Sequence, residues 1–471
     1  MERIAYKELL EWKQKTDRQP LILQGVRQCG KTWLLKTFGE QEFEDTAYFN
    51  FEHTEQLFDI FEQDLDPKRI IFELGILRNQ SIIPGKTLLI LDEIQMCPRA
   101  LTALKYFAEN LSSLHVAAAG SLLGVTISQM QKNISYPVGK VQTLTLYPLN
   151  FEEFVLANGE TLLHDSIKTG EGMLPAVVLG KLESLYRKYL ITGGMPAAVS
   201  AWLASEDVEA VDRILDNIIL DYERDFIKYA PRNEYPKLSL IWKGIPAQIA
   251  RDNQKFVFSH IKTGARARDL EDALHWLLSA GLIYQVTRIE QPNIPLSTFA
   301  ERSYFKIYLS DVGLLRRMSR FPSEALFDSA ESTAYMRGIL AENFVLTELM
   351  TNKSHDAAEV CFWKSGGIAE VDFLIQSGCL IIPIEVKSGK NTRARSLFEY
   401  RKKYAPKCAV KTSLQRPQVT ADEAGVIREI PLYLLWAADF KKCEAWSVRE
   451  DTVASASRFI VEISSFASRF K

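Results

Sequence analysis

The chain has 471 residues, 47% hydrophobic and 25% charged, which excludes a disordered or fibrous protein and predicts roughly three modules with several buried cores. A net charge of −2 and a sequence pI of about 6.4 exclude a global basic field, so any contact with nucleic acid has to come from a local patch. Six scattered cysteines without CxxC pairs argue against a zinc ribbon or a disulfide framework and for a reducing compartment.

The first element, MERIAYKELLEWKQK, is charged and amphipathic and lacks the apolar core of a signal peptide. No apolar run approaches the ~20 residues that span a bilayer. The expectation is a cytoplasmic protein without membrane contact.

PLILQGVRQCGKTWLLKTFG reads strand, loop, helix: a buried strand over Leu21–Leu23, a loop over Gly25–Gly30, and a helix from Lys31 to Phe38 ending near Gly39. Gly25, Gly30, Lys31 and Thr32 fit G-x-x-x-x-G-K-[ST]. Glycines let backbone N–H groups curl around phosphates, and the helix N-terminus adds partial positive charge. Gly25, Val26, Arg27, Gln28, Cys29 and Gly30 would form the cradle, with Lys31 reaching the β- and γ-phosphates and the Thr32 hydroxyl ligating Mg²⁺. Cys29 reads as a small filler inside the loop rather than a catalytic thiol.

A second signal lies downstream. TLLILDEIQ is an apolar strand over Thr87–Leu91 that delivers Asp92 and Glu93 at its end. Asp92 would assist the metal and Glu93 would polarise the attacking water. The two motifs together, in this order and on strands, predict ATP binding and hydrolysis. AYFNFE (Ala47–Glu52) and HVAAAGS (His115–Ser121) supply further strands of a parallel sheet. Ser121 lies where a sensor residue would touch the γ-phosphate or water, or where a serine would cap a helix.

The middle of the chain, Phe151 to about Tyr235, reads as mostly helical with a break at Gly193, Gly194 and Pro196. In VDRILDNIILDYERDFIKYA, Ile214, Ile218, Tyr222 and Phe226 recur at helical spacing as a buried stripe. From Pro236 to about Met318, a helix carrying Leu270, Ala273, Leu274, Leu277 and Leu278 is followed by two strand-like runs, LIYQVTRI and SYFKIYLSD. Helices followed by a hairpin suggest a winged helix. Lys262, Arg266 and Arg268 precede its candidate recognition helix, but Asp269, Glu271 and Asp272 at the helix start would repel DNA.

In AEVDFLI, Val371, Phe373 and Ile375 share one strand face and Glu370 and Asp372 the other. In IIPIEVKS, Glu385 and Lys387 point together. Adjacent strands would therefore gather Asp372, Glu385 and Lys387 into one cluster. Its carboxylates suit Mg²⁺ or Mn²⁺, and Lys387 would orient water or stabilise transition-state charge. In GILAENFVLTELM, Glu342 shares a helical face with Ile339, Val345, Leu346 and Leu349, an expensive place for an unpaired carboxylate. NTRARSLFEYRKKYAPK adds a basic helix with Arg393, Arg395, Arg401, Lys402, Lys403 and Lys407, read either as a nucleic-acid surface or as a solvated face. The end of the chain repeats Phe459, Ile463, Phe466, Ala467 and Phe470 at helical spacing, as a docking or self-association element would.

GVRQCGKT, LLILDEIQ, AAAGSLLG, YPLNFEEF and YLITGGMPAAV, in that order, resemble a large prokaryotic family of AAA-superfamily ATPases. Its members carry a C-terminal domain of unknown function related to restriction-endonuclease-like folds. The resemblance extends to about Trp436. It implies an α/β chain: a P-loop NTPase core of AAA type (1–150), a helical lid (151–235), a winged-helix-like segment (236–330) and a PD-(D/E)xK nuclease-like α/β domain (331–440), before a tail (441–471). It carries the helix acid of the nuclease signature to Glu342, as a metal ligand beside Asp372 and Glu385. Members often have Gly-Arg where this chain has Gly139-Lys140, so whether a neighbouring copy in a homo-oligomer completes the ATP site stays open. Three roles fit: ATP-gated cleavage of DNA or RNA, a nucleotide-dependent module that binds without cutting, or an ATPase acting on a protein partner.

Overall fold

Short apolar runs followed by polar turns build the first sheet of the computed structural model. The structure describes residues 1–121, 123–125, 136–169, 174–251, 255–328, 330–355, 360–367, 369–389 and 394–442. The tail repeat at Phe459, Ile463, Phe466, Ala467 and Phe470 lies outside these residues, as does Arg393. The chain divides into two compact units.

The first unit comprises Met1–Gly172, Ser184–Gln285 and Ile307–Asp328. Its sheet holds β1 (Leu21–Gln24), β2 (Asp45–Asn50), β3 (Thr87–Asp92), β4 (His115–Gly120) and β5 (Gln142–Thr145) in the order β2-β3-β4-β1-β5. All four pairings are parallel. β3 and β4 are buried along their whole length, as central parallel strands covered on both faces must be. Ile22, Leu89, Leu91 and Ala118 form a core with Phe61, Leu104 and Phe107 from the covering helices. The loop after β1 and the acids ending β3 thus emerge at the carboxyl edge, where open α/β sheets bind ligands.

The helix after the loop runs Lys31–Glu42, through Gly39 rather than ending there. A Cβ on Gly39 would lie 2.4 Å from Thr46 Oγ1, so this glycine serves close helix–strand approach, not termination. On the long helix Val208–Tyr229 the buried stripe is Val211, Leu215, Ile218, Tyr222 and Phe226, with Asp225 beside it. Ile214, expected in the stripe, is only half-buried because the face is rotated by one position. The GGMP break also has a steric cause. A Cβ on Gly194 would lie 1.9 Å from the Leu149 carbonyl oxygen, and Asp311 accepts the Gly194 N–H at 2.6 Å while capping the helix Val312–Met318 through Leu314 N–H at 2.9 Å. Burial pushes the Asp311 carboxyl up to about 6.

His115 opens β4 against Trp12 and Phe43, with ring centroids 5.8 and 4.9 Å away, and its Nδ1 is buried without a partner. Burial, and then the nearby Arg18, pull its pKa down to about 4. Above pH 6.5 the ring is neutral in both folded and unfolded chains and costs nothing. As pH falls from 6.5 towards 4, only the unfolded chain takes up the proton, so stability declines by about 3 kcal/mol and then levels off. Urea titrations from pH 4 to 7 should show that slope, and His115→Phe, which keeps an aromatic ring, should flatten it. An unchanged slope in the variant would assign the effect elsewhere.

The second unit comprises Met173–Glu183, Val286–Lys306 and Ser329–Lys471. The eight-stranded sheet runs β12-β13-β11-β10-β9-β8-β6-β7. Its strands are β6 (Ile283–Ile289), β7 (Ala300–Leu309), β8 (Cys361–Lys364), β9 (Glu370–Ser377), β10 (Leu380–Val386), β11 (Cys408–Ser413), β12 (Gln418–Asp422) and β13 (Gly425–Pro431). β9 and β10 form an antiparallel pair, while β10, β11 and β13 run parallel. Trp363, Val371, Leu374, Leu397 and Tyr400 form the core on which the helix Arg395–Tyr404 rests. β6, expected to open a winged-helix hairpin, is hydrogen-bonded in parallel to β8. Its other neighbour is β7, so the two strands expected as a hairpin lie side by side at the edge of this sheet.

Candidate functional site

Gly25 and Gly30 have positive φ, and a Cβ on Gly25 would lie 2.1 Å from the Leu146 carbonyl oxygen. No side chain fits there, which explains the first glycine of the loop. The Lys31 ammonium donates to the carbonyls of Gly25 and Val26, both at 2.8 Å. It stands inside the loop it would share with phosphates. Cys29 is fully buried with Sγ 3.4 Å from the Leu146 carbonyl, a packing role.

Asp92 is the meeting point of three donors. The hydroxyls of Thr32 and Tyr48 each reach Oδ2 at 2.8 Å, and the Glu93 N–H reaches Oδ1 at 3.0 Å. Burial, and the hydrogen bond to Asp92, push the Tyr48 phenol up to about 12, so it stays a donor. Glu93 sits in the left-handed region at φ 53°. Its carboxylate accepts from the Gln95 amide and, at 3.4 Å, from the Ser121 hydroxyl. A Cβ on Gly120 would lie 2.4 Å from Gln95 Oε1, so AAAGS leaves the room that Gln95 occupies. The Thr32 hydroxyl and the Asp92 carboxylate are the oxygen donors that Mg²⁺ takes alongside phosphate oxygens, and they face each other, so the donor set fits that ion.

Several residues at this site escaped the sequence reading. Arg3 is buried and donates to the Cys29 carbonyl at 2.8 Å, the Tyr147 carbonyl at 2.6 Å and Glu153 Oε1 at 3.0 Å. Glu153 closes a reciprocal cap with Asn150, which gives YPLNFEEF its local meaning. From the helix Val208–Tyr229, Asp225 pairs with Arg27, Asp221 accepts from the Gln28 amide at 3.0 Å, and the Tyr222 hydroxyl donates to the Arg27 carbonyl at 3.0 Å. Two acids four apart on the face of a buried stripe were the available signal.

In the second unit the β9–β10 register pairs Phe373 with Ile384, which sets Asp372 level with Glu385. Asp372 accepts the Val386 N–H at 2.7 Å, and Lys387 donates to Glu385 Oε1 at 2.7 Å. Burial, followed by the charges of Asp372 and, more weakly, Glu342, pushes the Glu385 carboxyl up to about 8. Burial raises Asp372 as well, against the pull of Lys306 and Lys387. Glu342 is half-buried within its apolar stripe. Glu370 is taken by Lys306 at 2.5 Å and Lys364 at 2.7 Å. Lys306 is a buried lysine inside the apolar run SYFKIYLS, an anomaly that the sequence itself displays. Among the described residues, no group of three or more His, Cys, Asp or Glu side chains is arranged to hold a metal ion. Glu342 and Asp372 are both near enough for their charges to act on Glu385, while the Val386 amide engages Asp372 and Lys387 engages Glu385. Glu385 Oε2 is nevertheless buried without a partner, and an orphaned carboxylate oxygen beside a second carboxylate fits a divalent cation. On the basic helix, Arg401 is buried against Asp422 and the Gly425 carbonyl, which leaves Arg395, Lys402 and Lys403 exposed.

A parallel sheet with a phosphate loop after β1 and an acid pair ending β3 defines a P-loop nucleotide-binding domain. The family described as "AAA domain" matches residues 17–155, so this part of the chain is similar to AAA-type domains. Two domains of unknown function match further on, DUF8612 over residues 183–325 and DUF4143 over 337–434. Among solved structures, the Walker-type ATPase of Pyrococcus abyssi is 16% identical, with 67% of this chain and 95% of that chain covered and a TM-score of 0.41. The ORC1 protein of Aeropyrum pernix, solved in complex with DNA, is 12% identical over 69% and 93%, with a TM-score of 0.27. AMPPCP-bound DnaA of Aquifex aeolicus is 14% identical over 59% and 87%, with a TM-score of 0.29. Comparison with curated proteins returned no match. Among the described residues, no helix is long and apolar enough to cross a membrane.

Proposed function

We propose that this protein hydrolyses ATP with Mg²⁺ and couples its nucleotide state to a nuclease-like domain that acts on nucleic acid. The observation that carries the ATPase half is the convergence of Thr32, Tyr48 and the Glu93 amide on Asp92, directly beside the Lys31 loop. Lys31 would exchange the Gly25 and Val26 carbonyls for phosphate oxygens. Thr32 and Asp92 would hold Mg²⁺, which supplies neutralisation of phosphate charge when bound. Glu93 would take the proton of the water that attacks the γ-phosphorus as the bond to the β-phosphate oxygen breaks, with Ser121 and Gln95 fixing its carboxylate. Residues 151–235 would be the lid and 236–330 the winged-helix-like segment, whose Lys262, Arg266 and Arg268 are exposed.

In the nuclease-like segment (331–440), Glu342, Asp372 and Glu385 would hold Mg²⁺ or Mn²⁺, with Lys387 orienting water. A second reading is an interaction ATPase, working on a protein partner or holding nucleic acid, whose nuclease-like domain does not cut. What favours it is that no three-acid ligand set is assembled among the described residues. Supercoiled, linear and branched DNA should be incubated with the full chain, Mg²⁺ or Mn²⁺, and with or without ATP, beside Asp372→Ala and Lys31→Ala. Cleavage lost in Asp372→Ala and altered by ATP is the expected result. ATP turnover without cleavage under every condition would select the second reading.

A further inference from the structure

The phosphate loop carries an arginine of its own. Arg27 and Gln28 stand between Gly25 and Gly30, in a stretch whose backbone N–H groups suffice to cradle phosphates. Both side chains are met by the helix Val208–Tyr229: Asp225 pairs with Arg27 Nη1, and Asp221 accepts from the Gln28 amide at 3.0 Å. The Tyr222 hydroxyl donates to the Arg27 carbonyl at 3.0 Å, so one helix holds both the backbone and the side chain of this arginine. The Asp225 side chain is 6% exposed and that of Arg27 36%, which gives the guanidinium an anchored side and an open side. Among the described residues, no hydrogen bond uses its Nε or Nη2.

The surroundings favour a fixed positive charge. Burial works against the charge of Arg27, but Asp225, and more weakly Glu93 and Glu52, outweigh it. Glu93 is the acid assigned to the attacking water, so Arg27 stands within electrostatic reach of the place where the γ-phosphorus is attacked. Phosphoryl transfer spreads negative charge over the γ-oxygens, and one well-placed arginine there is worth ~10³–10⁵ in rate. Lys140, a second basic candidate, is already paired with Glu109 at 3.1 Å.

We propose that Arg27 is a catalytic residue of ATP hydrolysis: anchored by Asp225, its free N–H groups bind the γ-phosphoryl oxygens of the ATP on the same chain, so that each copy completes its own site without an arginine from a neighbour. Water adds to the γ-phosphorus as the bond to the β-phosphate oxygen breaks, Glu93 takes the proton, and Arg27 neutralises charge without exchanging a proton. The proposal rests on the ATPase reading of Lys31 and Glu93, and the test separates the two.

Phosphate release by the full chain is measured at saturating ATP and Mg²⁺, beside Arg27→Gln, Arg27→Lys and Lys31→Ala. Each protein is also titrated calorimetrically with ADP and with ADP plus aluminium fluoride, a mimic of the transferred phosphoryl group. Arg27→Gln should lower kcat about 10³-fold or more and lose most of the affinity that aluminium fluoride adds, while ADP affinity stays close to wild type. Arg27→Lys should recover only a small part, because an ammonium lacks the forked donors of a guanidinium. Turnover per copy should not change from nanomolar to micromolar protein. Arg27→Gln mixed with Lys31→Ala, which keeps Arg27, should regain no activity. Wild-type turnover in Arg27→Gln would overturn the proposal, and so would recovery in the mixture, which would make the arginine act between copies. An equal loss of ADP and ADP–aluminium fluoride affinity would also overturn it, by making Arg27 a tether of the loop. Undiminished ADP affinity and turnover in Lys31→Ala would instead remove the phosphate-cradle reading, and the role of Arg27 with it.

Discussion

Glu93→Gln is expected to lower the rate of ATP hydrolysis roughly 10²–10⁴-fold, the range that a positioned general base contributes, while nucleotide affinity changes little. The substitution is nearly isosteric. The left-handed backbone at residue 93 and the amide contact to Asp92 can both persist, so the Thr32–Asp92 pair that would serve the metal stays in place. What disappears is the proton acceptor. Ser121 can still donate to the retained carbonyl oxygen, but two amides, Gln95 and the new one, would then compete for orientation. Phosphate release under saturating ATP and a separate equilibrium titration divide the effect into turnover and affinity. Turnover at the wild-type rate would remove Glu93 from the assigned role and leave the base to be found elsewhere. Loss of affinity with turnover would instead mark Glu93 as a support of the loop.

Much of this site was legible because its chemistry is local. A glycine loop, a lysine and a threonine are adjacent in sequence, and an apolar strand ending in two acids announces its own position in a parallel sheet. What stayed hidden is held by long-range contacts. Arg3 meets Glu153 across 150 positions, and Asp225 meets Arg27 across 198, so neither pair has a periodicity to read. Gly39 misled for a related reason: its local preference to end a helix is overridden by the close approach of Thr46. In the second unit, alternation correctly predicted strands β9 and β10 and brought Asp372 level with Glu385. Alternation carries no information about which donors claim the carboxylates. The Val386 amide, Lys387 and Lys306 decide that, and Lys306 arrives from β7, far away in the chain.

Arg3→Ala is expected to cost about 3–5 kcal/mol of stability, the usual penalty for removing one partner of a buried ion pair. The two side chains are only 3% and 6% exposed, so neither solvent nor salt replaces the lost contact. Glu153 would keep its cap on Asn150 but be left as a buried carboxylate with its cationic partner gone, and the Cys29 and Tyr147 carbonyls would each lose a donor. Glu153→Ala alone strands Arg3 in the same way. The double variant removes both charges, so its cost should fall well short of the sum of the singles, a coupling that a double-mutant cycle in urea measures directly. Additive costs would mean that the pair is not a unit. Because the Cys29 carbonyl belongs to the phosphate loop, Arg3→Ala should also weaken ATP binding at temperatures where the chain remains folded. Arg3→Lys should rescue only part of either effect, since one ammonium cannot span three acceptors with the geometry of a guanidinium. Wild-type stability in Arg3→Ala would show that the N-terminal segment merely rests on the loop, whereas the predicted loss would show that this buried arginine keeps the loop ready for phosphate.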